Sequence, residues 1–384
     1  MEKLRYYGVH ILDKESFIQY TLLMKKGYKE SFVDSLSEFV YNNIDDNYRN
    51  KKRNTVFSKY GLYYGKRPLS IDNCLVIGCQ NTPIYSHSIS KNSVLSNISY
   101  KGKVYSPSIN NDRMRIEMMP VGIEKQASVF PGFCNDHDSS LFKILDNTTF
   151  QDNSTVFFES LIYRTISREF YMLKRNLEYT EFVIENIEKD FETSKTDILN
   201  KYNSILSETK IQINDWEDSR FSYLRDKRFA NNKLNQDQTR LNNLYKFIEN
   251  CNSPIGLVTV VERNLPVAFS GFTHFIENKY QYSMVINCLP YKDKTIFSIF
   301  YNIEDQDIIE RKLISKYDLN DENSLLKFIE TLVIKGTDNL FIDIIYWDSL
   351  EIFMKEKIMK DYANFEDSDP RNEIDYSFLK WDYK

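Results

Sequence analysis

The chain has no run of 18 apolar residues, so no membrane-spanning helix is expected. It has no Walker-type phosphate loop and no Gly-x-Gly-x-x-Gly turn, which argues against an NTPase or a dinucleotide enzyme. The opening residues, MEKLRYYGVHILDKESF, lack the apolar stretch of a secretory signal. Five cysteines in 384 residues are too few for a disulfide scaffold. A cytoplasmic protein with reduced thiols is the expectation. Alanine is scarce, and histidine occurs four times.

What is present is apolar and charged material in ordinary proportion, 42% and 27%, with a high aromatic content of 15%. A chain of this length exceeds one small core, and more than one domain is expected. The net charge of −5 is unevenly spread. Residues 1–130 carry 19 Lys and Arg against 12 Asp and Glu; the remainder carries 31 against 43. A mildly basic first third suits a phosphate-rich partner, although simple unevenness explains it as well.

The pattern along the chain predicts an α+β protein. Residues 1–69 read as a helical segment, with apolar positions from Phe17 to Val40 at three- and four-residue spacings and a basic cluster at Arg49, Lys51, Lys52 and Arg53. Residues 70–150 are rich in Ser, Asn, Gly and Pro, the composition of a loop-rich module held by something other than a large core. Residues 151–252 read as a long, charged helical arm, a hairpin or coiled-coil-like element that could also pair in a homodimer. Residues 253–384 carry β-type runs such as Leu257–Val261 and predict a mixed α/β domain with an exposed or loosely docked tail from Asn364.

Five of the nine Cys and His residues fall between positions 74 and 137. The segment CLVIGC holds Cys74 and Cys79, and CNDH holds Cys134 and His137. Two short loops, each offering two ligands, can fill the four corners of a zinc ion, and Gly78 and Gly132 let such loops close tightly. Cys74, Cys79, Cys134 and His137 are therefore the candidate metal ligands. The plainer alternative is small buried thiols and a satisfied imidazole. Cys251, Cys288, His10 and His274 read as structural.

His87 lies between the two pairs in SHSISK. The order of knuckle, His-bearing strand and second knuckle at a helix start resembles the treble-clef HNH endonuclease family over residues 70–145. That resemblance implies a structural Zn²⁺, His87 as general base on a water attacking a phosphodiester, and Asp138 as a ligand for a catalytic divalent cation such as Mg²⁺. The chain departs from the family pattern at Ser86, where an acid is usual, and in the missing final His. Asn110 and Asn111 match the middle Asn by position only. His87 can equally be read as an orienting group beside the zinc. Arg164 and Arg168, one helical turn apart, and Lys91 are candidates for phosphate contact, with salt bridging as the alternative for the arginines.

The sequence thus supports a metal-dependent nuclease, possible settings being a bacterial toxin or an antiphage effector. It also supports a non-catalytic, zinc-stabilised protein that binds nucleic acid or a partner protein.

Overall fold

The computed structural model describes residues 71–110, 115–146, 155–209, 221–250, 255–363 and 369–382. The helices expected in 1–69, the basic cluster from Arg49 to Arg53, Asn111, His10 and Cys251 lie outside the described residues. Helix and sheet are mixed along the chain, as the α+β class requires. No helix among the described residues is long and apolar enough to cross a membrane.

The first third runs β1 (Ile84–His87), β2 (Lys103–Asn110), β3 (Arg115–Gly122), β4 (Val129–Phe133) and α1 (Asn135–Asp146). Two long helices follow, α2 (Thr155–Thr209) and α3 (Phe221–Asn250). The last third holds β5 (Ile255–Val261), β6 (Val267–Glu277), β7 (Tyr280–Tyr291), β8 (Lys294–Tyr301), α4 (Gln306–Lys312), α5 (Glu322–Lys335), β9 (Leu340–Ile342), α6 (Ile344–Ser349) and α7 (Ile352–Tyr362). Leu69–Leu173 and Arg240–Lys384 form one compact unit, while Lys174–Thr239 belongs to another. The site described below lies wholly within the first.

β1 and β4 make a small antiparallel pair, with Ser86 opposite Phe130 and His87 opposite Val129. The other seven strands form one sheet in the order β3-β2-β9-β6-β7-β8-β5, antiparallel throughout. The three-residue β9 is the link. Ile342 stands opposite Tyr105 of β2 on one side and Val267 of β6 on the other. A hairpin from the loop-rich first third thereby joins the sheet of the last third.

Strands β6 to β8 are apolar on both faces, and the two-residue period of a strand divides them cleanly. Val267, Phe269, Met284, Ile286, Phe297 and Ile299 point into a core closed by Phe328, Ile329 and Leu332 of α5. Ala268, Leu289, Tyr291 and Ile296 point the other way and meet Ile89, Leu95, Phe130, Phe133, Phe142, Phe157 and Leu161. The stretch read as a separate module at 70–150 is therefore the cover of this second face. Its buried side chains have a large shared core, which spacing along the chain does not reveal.

The tail also departs from expectation. Ile374, Tyr376, Phe378 and Leu379 are buried in the α5 core, so residues 369–382 form a docked strap without regular structure.

Candidate metal centre

The first ligand loop is built by one turn. Cys79 N–H donates to Val76 O at 3.0 Å, and Gly78 adopts φ +82°, a left-handed conformation that costs glycine little. Cys74 N–H donates to Asn81 O at 2.9 Å, and Leu75 N–H donates to Gly132 O at 2.8 Å, which fastens this loop to β4. The second loop is a strand-to-helix junction. β4 ends at Phe133, Cys134 follows, and α1 places His137 in its first turn, where Asp138 N–H donates to Cys134 O at 2.8 Å.

These two loops bring Cys74, Cys79, Cys134 and His137 together. One ligand atom from each lies within 4.8 Å of all the others. Cys74 Sγ is 3.4 Å and Cys134 Sγ 3.3 Å from His137 Nδ1, and Cys79 Sγ is 3.9 Å from Cys134 Sγ. Tetrahedral zinc sets its sulfur and nitrogen ligands about 3.5–3.8 Å apart. A disulfide needs sulfurs near 2.05 Å, and these cysteines are free. The four groups are close enough to hold a metal ion, and the set of three sulfurs and one imidazole nitrogen suits Zn²⁺.

The thiols differ in acidity. The backbone N–H of His137 is the main cause that lowers Cys134 to about 7, as expected at a helix start, while burial pushes Cys74 up. A cation at the centre would favour the thiolate of each.

His87 is not part of this set. Its Nε2 donates to Ile123 O at 2.8 Å. A carbonyl only accepts, so Nε2 carries the proton and Nδ1 is the acceptor nitrogen of the neutral ring. Burial lowers the His87 pKa most. The Ile123 carbonyl opposes this, Arg164 and Lys91 lower it further, and Asp146 raises it. The net depression keeps the ring neutral at pH 7.

Asp138 lies in the first turn of α1, and its buried Oδ1 accepts no hydrogen bond. Arg164 is only 2% exposed and donates from Nη1 and Nη2 to the two Asp146 oxygens at 3.1 and 3.4 Å. Arg168 is buried and pairs with Glu169 at 2.7 Å and with Asp338. Both arginines therefore meet carboxylates of their own unit, and neither presents an exposed guanidinium. Lys91 makes a partly exposed ion pair with Glu124 at 3.0 Å. Asn110 ends β2, and the backbone partner of His87 comes from Ile123 instead.

Asp146 was missed from the sequence. The signal was present in DSSLFKILD: Asp138, Phe142 and Asp146 recur every four residues and share one stripe of α1.

No protein family, curated protein or solved structure matches the chain. The functional reading rests on the residues themselves.

Proposed function

We propose that Cys74, Cys79, Cys134 and His137 hold a structural Zn²⁺ in a treble-clef-like, HNH-type module, and that the module serves phosphodiester hydrolysis with His87 as general base. A closed set of four protein ligands leaves the zinc no open position, so its part is to fix the loop at 74–79 against the start of α1. The observation that carries the catalytic reading is the tautomer of His87. Its Nε2 is held by Ile123 O, which leaves an unprotonated Nδ1 able to take a proton from water near pH 7. The buried Asp138 Oδ1, which accepts no hydrogen bond, adds an oxygen ligand of the kind Mg²⁺ prefers. A divalent cation held there would offset charge on the leaving oxygen. The substrate would be DNA or RNA, in the setting of a bacterial toxin or antiphage effector.

A second reading is favoured by Arg164. Its guanidinium Nη2 stands 4.0 Å from Asp138 Oδ1, so a positive charge already faces that carboxylate. On this reading the module is purely structural, and the protein binds a nucleic acid or a partner protein through its other surfaces.

His87→Ala separates the two. The hydrolytic reading expects stoichiometric zinc and an unchanged fold, with Mg²⁺-dependent cleavage of single- and double-stranded DNA and RNA lost. Cleavage by the variant at the wild-type rate, or no cleavage of any of these by the wild type, leaves the structural reading.

A further inference from the structure

Arg164 is a charged side chain held almost fully out of water, and its surroundings are specific. It projects from α2 onto the stripe of α1 formed by Asp138, Phe142 and Asp146. The guanidinium carbon lies 4.6 Å from the centre of the Phe142 ring. Its two terminal nitrogens make parallel bonds to Asp146, the geometry that suits a guanidinium and a carboxylate. The same Nη2 stands 4.0 Å from Asp138 Oδ1, close enough to attract it and too far to hydrogen-bond.

We propose that Arg164 is a positioning residue, a built-in counter-cation that fixes Asp146 and orients Asp138 while leaving Asp138 Oδ1 free to accept another group. Asp146 then belongs to the site as the anchor of that cation. This rests on the hydrolytic reading for its purpose, but the arrangement itself can be tested without any substrate.

Arg164 and Asp146 bear on His87 with opposite signs, Arg164 lowering its pKa and Asp146 raising it. Among the described residues, Lys91 also bears on His87 and lowers its pKa. Taking away one member of the pair exposes the field of the other.

The test uses the full chain with Arg164→Met, Arg164→Lys and Asp146→Asn. The His87 imidazole is titrated by NMR, its resonance assigned from His87→Gln, and zinc content is the control for folding. Arg164→Met should shift the His87 midpoint upward, and Asp146→Asn should shift it downward. Arg164→Lys should stay near the wild type, because it keeps the charge. Should Arg164→Met lose its zinc, Asp146→Asn decides alone. A midpoint that does not move in a zinc-loaded Arg164→Met or Asp146→Asn protein overturns the proposal. If the wild type cleaves no nucleic acid while these midpoints move as stated, the hydrolytic reading fails and the counter-cation stands.

Discussion

Asn339 and Ser88 lie 251 positions apart in sequence and are joined by a hydrogen bond of 3.0 Å from Nδ2 to Oγ. The same Nδ2 reaches Ser270 Oγ of β6 at 2.7 Å, and all three side chains are buried. One amide thus ties the residue after β1 to the central sheet. Asn339→Ala removes the donor from two buried hydroxyls and should cost about 2 kcal/mol. Because the two regions share a core, zinc release and loss of sheet signal should coincide in a denaturant titration of this variant. Two separated transitions would show that the zinc-bearing stretch folds independently.

The metal centre should be sensitive to pH in a defined direction. Protons compete with the metal for the thiolates, so apparent zinc affinity should fall as pH drops from 9 to 6, with Cys134 adding its share only near 7 and the raised Cys74 already at higher pH. The metal-free protein follows the same sign. A Cys134 pKa lowered from 9.0 to about 7 adds stability that is full above pH 9 and lost as pH falls through 7. Cys134→Ser should remove this contribution from the stability profile of the metal-free protein. The measurement is a competition titration with a chromogenic chelator between pH 6 and 9, and a flat profile for the wild type would contradict the assignment.

The grouping of Cys74, Cys79, Cys134 and His137 was legible in the sequence because each pair is local: four intervening residues with Gly78 in one loop, two in the other at a helix start. Helix in the arm at 151–252 and the strand β5 at Leu257–Val261 were legible for the same reason, since periodicity and composition act over short distances. The union of the first and last thirds was not. It depends on β9, three residues long, and on a single register partner, Tyr105 opposite Ile342. For Arg164 the sequence offered phosphate contact or salt bridging without naming a partner. It is Asp146, which a different helix supplies.

His274 in β6 gives a second pH prediction. Burial, and to a lesser degree Arg240, lower its pKa to about 4 from 6.5, while Asp369 opposes them. The unfolded chain then binds a proton that the folded protein refuses. Stability should therefore decline as pH falls from about 6.5 to about 4, by about 3 kcal/mol at most. His274→Gln keeps a polar side chain without a titrating ring and should flatten urea midpoints across that range. Parallel curves for variant and wild type would exclude His274 as the source.

Glu330 of α5 holds the C-terminal strap. It is fully buried, and its Oε1 accepts from the backbone N–H groups of Phe378 and Leu379 at 2.5 and 2.6 Å, while Oε2 accepts from Ser377 Oγ at 2.7 Å. Lys327 and Lys335 of the same helix donate to Tyr376 O and Asn372 O, both at 2.6 Å. Hydrogen bonds that involve a charged group contribute about 1.5–3 kcal/mol each, and removing the acceptor leaves two backbone donors buried without a partner. Glu330→Ala should accordingly destabilise the unit by about 3 kcal/mol or more. It should also release residues 369–382 as the first site of limited proteolysis, even in buffer where the sheet remains folded. Glu330→Gln, which keeps one acceptor oxygen, should lie between the two. If the Ala variant protects its tail as well as the wild type does, the buried Ile374, Phe378 and Leu379 side chains and the lysine bonds hold the strap, and the carboxylate is incidental to it.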